Sequence, residues 1–123
     1  MKIFSENDYS KIVSEKGAYF LSLLKALQSK HPEVGNVDGL GMAFRMEMCE
    51  ADGFTPSRAL ADRMFQRGLE GNLQIRGREF GLVLDIGGYY KNVVTIAPSF
   101  EISREEMHLA HDLLELLICE CKR

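Results

Sequence analysis

Apolar positions recur at two spacings along the 123-residue chain, and the switches between them mark out its elements. Between Asp8 and Ser29, Tyr9, Ile12, Val13, Phe20, Leu23, Leu24 and Leu27 follow one another mostly at three- and four-residue steps. That spacing predicts an amphipathic helix with one apolar stripe. Ser5 or Asn7 stands where a cap is needed, and His31-Pro32 is a stop signal. Gly17 weakens the middle of this helix by about 1 kcal/mol relative to alanine. From Leu40 to Met48 the period falls to two. Leu40, Met42, Phe44, Met46 and Met48 alternate with Gly41, Ala43, Arg45 and Glu47, which predicts one strand with an apolar and a mixed face. Asp52-Gly53 marks a turn. Thr55-Pro56 then predicts a second helix, with Thr55 as its cap and Pro56 at the first helical position. Leu60, Ala61, Met64, Phe65 and Gly68 form its stripe, and Gly68 or Gly71 ends it.

Residues 72–97 read as short strands: Leu73 to Ile75, Leu82 to Ile86 and Val93 to Ala97. The last two are joined by Gly87-Gly88-Tyr89-Tyr90-Lys91-Asn92, a connection of hairpin length. Pro98 ends the final strand, because it has no N–H to give a ladder. Ser103-Arg104-Glu105-Glu106 is a capping box before a last helix carrying Met107, Ala110, Leu114, Leu117 and Ile118 on one face. Adjacent strands flanked by helices predict an α+β fold: a three- to four-stranded, mostly antiparallel sheet with helices packed on one face. Residues 1–123 read as a single domain, a leading helix over 1–32 and an α+β core over 33–123.

Composition narrows the function classes. Hydrophobic residues make up 46% and charged residues 27%, ordinary for a chain that buries a core. The net charge is −3, so no basic excess favours nucleic acid. The apolar run from Leu113 to Cys119 is too short to span a bilayer and is broken by Glu115, so no membrane span is expected. The N-terminal residues have no apolar stretch of a secretory signal. Three cysteines do not make a disulfide framework, and the reading is a reduced, cytoplasmic protein.

Candidate chemistry is sparse. Tyr89, Tyr90 and Lys91 lie in the glycine-rich connection, which is a substrate-facing loop or a solvated hairpin tip, the latter favoured. His108, His111, Cys119 and Cys121 do not have the spacing of a metal site. Met42, Met46, Met48 and Met64 read as core. Arg45 and Glu47 read as a solvated pair on the opposite strand face, or as an interface. Gly39 and Gly41 lack the spacing and following helix of a phosphate loop.

From about Tyr9 to Leu117 the chain resembles the C-terminal region of class III pyridoxal-phosphate-dependent aminotransferases. The resemblance is carried by Val37-Asp38-Gly39-Leu40-Gly41-Met42 with Glu47 five residues on, by Arg67-Gly68-Leu69, and by the run from Asn92 through Ala97-Pro98 to Ile102-Ser103. It implies the small domain of a fold-type I enzyme, and amino-group transfer from a small-molecule amino donor to a 2-oxo acid or aldehyde acceptor through pyridoxal phosphate. It also implies that the cofactor lysine and the acidic residue at the pyridine nitrogen belong to a large domain outside this chain. This chain alone is therefore expected to be inactive, to hold no catalytic or cofactor-binding residue, and to have as partners that missing large domain and a second subunit of a homodimer. Thr95 stands where many members place an arginine that pairs with the substrate carboxylate, and a hydroxyl does not replace that charge. Either the parent enzyme uses a different carboxylate anchor, for which Lys91, four residues earlier, is a candidate, or its substrate lacks a carboxylate. Asp38 replaces a second arginine of the family pattern. The alternative is a stand-alone α+β binding or regulatory module without enzymatic activity. The two differ in surface: a piece of a larger enzyme is expected to expose an apolar patch, above all on the first helix.

Overall fold

A computed structural model describes residues 6–81, 84–88, 90–98 and 102–122. The elements are α1 (Glu6–Lys30), β1 (Val34–Leu40), β2 (Ala43–Met48), α2 (Arg58–Glu70), β3 (Leu73–Ile75), β4 (Arg78–Phe80), β5 (Asp85–Gly87), β6 (Val93–Ile96) and α3 (Arg104–Cys121). Four strands form an antiparallel sheet in the order β1-β2-β6-β5, and β3 pairs with β4 in a separate ribbon. The α+β class holds.

Each helix turns its apolar stripe to the same side of the four-stranded sheet. Phe20, Leu24 and Leu27 of α1, Leu60, Ala61 and Met64 of α2, and Met107, Leu114, Leu117 and Ile118 of α3 form one cluster with Val37, Phe44, Met46, Met48 and Val94 of the strands. The first helix therefore spends Phe20, Leu24 and Leu27 on this chain's own core, contrary to the expected exposed patch there. Large exposed apolar side chains among the described residues sit apart, Leu69 on α2 and Phe54 and Tyr90 in loops. The opposite face of the sheet is polar, with Asn36, Asp38, Arg45 and Asp85 exposed.

Three sequence expectations need correction. Leu40 to Met48 is not one strand. Leu40 ends β1, Ala43 opens β2, and Gly41-Met42 is the two-residue turn between them, with Gly41 at φ 62°. The amphipathic period still holds within β2, where Phe44, Met46 and Met48 are buried. Second, α2 is capped by Ser57, whose hydroxyl accepts from Leu60 N at 3.1 Å. Thr55 instead gives its backbone N–H to Asp52 at 2.8 Å, and Pro56 bridges Cys49. Third, β4 lies in a stretch that the sequence reading leaves without a strand. Gly71 does end α2, and Ser103 with Glu106 forms the capping box at α3. Of the expected second strand, Leu82 and Val83 lie outside the described residues, as do Ser5 and Tyr89, Leu84 precedes β5, and Asp85 and Ile86 fall in β5.

Candidate functional site

The residue singled out as the carboxylate position, Thr95, lies on β6 near its C-terminal end. β6 is central in the sheet because its Val93, Val94 and Ile96 are β-branched and pack against both neighbours. Asn92 holds its start. The Asn92 side-chain amide donates to the Met48 carbonyl at 2.9 Å, and the Asn92 carbonyl accepts from Met48 N at 2.8 Å. This buried, doubly bonded asparagine sets the register that puts Thr95 between Arg45 of β2 and Asp85 of β5.

Thr95 lines a cleft of about 520 Å³ together with Leu84, Asp85, Ile96, Ala97, Pro98, Ala110 and Leu114. The cleft opens where β5 begins, β6 ends and α3 passes. Its lining residues are mostly apolar, with Thr95 and Asp85 the polar ones. Such a site can hold an aliphatic chain and orient one polar end. No lysine or arginine lines it.

Lys91 is exposed in the turn before β6, at φ 56°, and does not line the cleft. Four strand steps separate it from Thr95, about 13 Å of rise. The structure does not bring the two residues together. Across the sheet it aligns four side chains that the sequence scatters: Asp38 opposite Arg45, Arg45 opposite Thr95, and Thr95 opposite Asp85. Sequence reasoning noticed Asp38, Arg45 and Thr95 separately but missed the row and Asp85, because register is not legible without the turns. Arg45 and Glu47, expected as a solvated pair, form no ion pair with each other.

The remaining candidates have structural partners. His108 Nε2 meets the Tyr19 hydroxyl at 2.5 Å, with Arg104 stacked over the Tyr19 ring. His111 Nδ1 lies 3.0 Å from Asp112. Cys121 is buried while Cys119 is exposed, so the two point to different surroundings. Burial pushes the thiols of Cys49 and Cys121 above the ordinary cysteine range, which makes them poor nucleophiles. Among the described residues, no three His, Cys, Asp or Glu side chains come together as a metal site would require. Gly39 leaves room for the Phe44 ring, and Gly41 makes the turn, so this pair of glycines serves packing.

Comparison with known proteins gives the frame for this geometry. No family model matches the chain. In sequence it is similar to the 5-aminovalerate aminotransferase of Pseudomonas putida, 32% identical over 99 residues, covering 78% of this chain and 20% of that protein. It is 26% identical over 124 residues to the 4-aminobutyrate aminotransferase of Escherichia coli, covering 100% of this chain and 27% of that protein. An alanine/serine racemase of Pyrococcus horikoshii is 24% identical over 118 residues, covering 96% of this chain and 23% of that protein. In structure, the chain is similar to a phospholyase from Arthrobacter in complex with phosphoethanolamine, with a TM-score of 0.75, 24% identity, and coverage of 93% of this chain and 25% of that one. A pyridoxal-phosphate-bound amine transaminase from an uncultivated Pseudomonas species gives a TM-score of 0.72 at 18% identity, covering 94% and 24%. The structural likenesses show the fold. The chain is thus similar in sequence and in fold to aminotransferases, among other proteins, and spans about a quarter of the length of the proteins it matches.

Proposed function

We propose that this chain is the small-domain part of a class III pyridoxal-phosphate-dependent aminotransferase. The whole protein would move an amino group from an amine or amino acid to a 2-oxo acid or aldehyde. One observation carries this reading. Nearly the whole chain matches aminotransferases in both sequence and fold, yet it spans only about a quarter of their length. The racemase and the phospholyase among the similar proteins mean that fold alone does not choose the reaction. Amino transfer is chosen because the match at the highest identity among the three relatives above, and a second one over the whole chain, are aminotransferases.

The residues of the cleft do not fit a cofactor site by themselves. Pyridoxal phosphate needs a lysine for covalent attachment and an acidic partner for its ring nitrogen. The cleft offers Asp85 but no lysine and no guanidinium for the phosphate. When bound in the whole protein, the cofactor supplies the carbonyl that condenses with amines and the ring that accepts electrons. This chain's part is then to wall the substrate side: Thr95 lines the cleft, and the apolar lining of Ile96, Pro98 and Leu114 excludes water. Lys91 remains the alternative carboxylate donor if the turn before β6 closes toward the substrate. A large domain and a second, identical subunit complete the assembly, in the cytoplasm. The free cysteines Cys49, Cys119 and Cys121 support a reducing location, and among the described residues no helix is long and apolar enough to cross a membrane.

The test is cofactor capture. This chain mixed with pyridoxal phosphate is expected to show no stoichiometric lysine-linked absorbance. A longer form carrying the large domain is expected to show it and to turn over 4-aminobutyrate or 5-aminovalerate with an oxo acid. Stoichiometric capture by one defined lysine of residues 1–123 would overturn the reading.

A further inference from the structure

Register decides which side chains the β3–β4 ribbon turns inward. Leu73 is opposite Phe80 and Ile75 is opposite Arg78, and directly opposed residues share a face. Leu73 is buried in the core and Ile75 packs against it, so the face bearing Arg78 and Phe80 is the inner one. Gln74 and Glu79 share the outer face, where the Gln74 side-chain amide donates to the Glu79 carboxylate at 3.2 Å. On α3, Glu105, Leu109 and Asp112 follow at four- and three-residue steps and so lie on one stripe. Arg76 Nη2 lies 3.0 Å from Asp112 Oδ2, which pins the turn of the ribbon to that stripe.

Between ribbon and helix is a cleft of about 260 Å³ with Ile75, Phe80 and Leu109 as its apolar lining. It shares no residue with the cleft that Thr95 lines. Two arginines stand on its ribbon side, Arg76 and Arg78, and two glutamates on its helix side, Glu105 and Glu106. One of each is engaged: Arg76 by Asp112, and Glu106 by the Ser103 backbone N–H at 3.0 Å in the capping box. Arg78 stacks over the Phe80 ring, 5.5 Å from its centroid, and its N–H donors have no hydrogen bond among the described residues. Glu105 has neither a hydrogen bond nor an ion pair among the described residues. Both side chains are exposed, and they do not pair with each other. The cleft therefore sets an open guanidinium on one wall against an open carboxylate on the other, with apolar side chains between. A guanidinium fork takes a carboxylate in bidentate fashion, and a carboxylate takes an ammonium. A dianion meets the glutamates, a dication meets the arginines, and a ligand with one charge of each sign meets neither penalty.

We propose that the ribbon and α3 form a binding site for a small zwitterion whose carboxylate and ammonium stand at the two ends of an aliphatic chain. Arg78 holds the carboxylate, Glu105 holds the ammonium, and Ile75, Phe80 and Leu109 cover the methylenes. The site rests on none of the residues used in the proposed function, so each reading fails or stands separately.

The experiment is an NMR titration of the isotopically labelled 123-residue chain with three probes of one chain length. With 6-aminohexanoate, the amides of Arg78, Phe80, Glu105 and Leu109 are expected to move along one saturating curve, while those of Thr95 and Ile96 stay in place. Hexanoate lacks the ammonium and hexylamine lacks the carboxylate, and each is expected to bind about tenfold more weakly. R78Q is expected to weaken 6-aminohexanoate about tenfold and leave hexylamine unchanged. E105Q is expected to weaken 6-aminohexanoate by a similar factor and leave hexanoate unchanged. Unaltered amide shifts away from the cleft establish that both variants are folded. The absence of saturable shifts at the ribbon and α3 would overturn the proposal, as would shifts confined to the β6 cleft. Equal binding of hexylamine and 6-aminohexanoate would overturn it too, and so would full-strength 6-aminohexanoate binding by folded R78Q or E105Q.

Discussion

At the residue scale, the sharpest reversal concerns Gly17. In sequence it is a flaw, a glycine in a helix costing about 1 kcal/mol against alanine. In the structure it is the point where α1 rests on the β1–β2 turn. A Cβ at Gly17 would collide with the Gly41 carbonyl oxygen and press on its carbonyl carbon at 3.1 Å. Both partners are backbone, and Gly41 is itself held at φ 62° by the turn. The clash outweighs the propensity, since overpacking costs about 1–3 kcal/mol and the helix has little room to retreat from the sheet. Gly17→Ala is therefore expected to lower stability by about 1–2 kcal/mol net, read as a lower urea midpoint at unchanged slope. A gain in midpoint would show that helix propensity wins and that α1 shifts freely. The same scale explains what the sequence revealed about the site. Thr95 stood out by residue type at a motif position, but its cross-strand neighbour Arg45 did not, because an exposed arginine on a strand has an ordinary surface reading until its neighbours are known.

At the scale of elements, the long helices, the apolar face of β2 and the capping box at Ser103 were legible because each rests on a local period or a local hydrogen bond. β1 was not, and the reason is a bulge. Val34 pairs with Met48 and Asn36 with Glu47, so β1 fits an extra residue against β2. Val34 and Val37 are an odd number apart, yet both are buried. Period two is broken, and the glycines at 35 and 39 dilute what remains. β4 was missed for a different reason. Its turn, Arg76-Gly77, has φ of 52° and 77°, both positive as a type I′ turn requires. Arginine is an unusual first residue for that turn, and Arg76 is tied to Asp112 of α3 at 3.0 Å. The start of α2 offers a direct check. Ser57, not Thr55, accepts the helix N–H. Ser57→Ala is expected to cost about 1 kcal/mol, whereas Thr55→Ala leaves the cap intact and costs clearly less. Chemical denaturation of the two variants side by side decides it, and the reverse ranking would return the cap to Thr55.

At the scale of the whole molecule, the helix-covered face of the sheet carries the cohesion, and one polar clasp closes that side. The end of α1 leads into His31, which is buried, and His31 Nε2 lies 3.2 Å from Glu115 Oε2 of α3. Lys122 Nζ lies 3.1 Å from His31 Nδ1 and 3.7 Å from Glu33 Oε1, and Lys30 Nζ is 3.7 Å from the same Glu115 oxygen. An ammonium has only protons to give, so Nδ1 accepts and Nε2–H donates to the carboxylate. The chain's first helix is thereby joined to its last across 84 residues. The hydrogen bond from His31 holds the Glu115 carboxyl below the ordinary glutamate range, with Lys30 and His111 adding to the effect against the opposing cost of burial. A depressed carboxyl pKa stabilises the fold above the unfolded value, about 4.3, and the contribution is lost as pH falls through the lower folded value. Urea unfolding of the native chain and of Glu115→Gln between neutral pH and pH about 3 isolates it. The native chain is expected to be the more stable at neutral pH. The gap is expected to stay constant down to the ordinary glutamate range and to close below it, as the carboxylate takes up its proton. Parallel curves through that acid window would mean that Glu115 acts by packing alone and that the clasp between the first and last helices carries no ionic component.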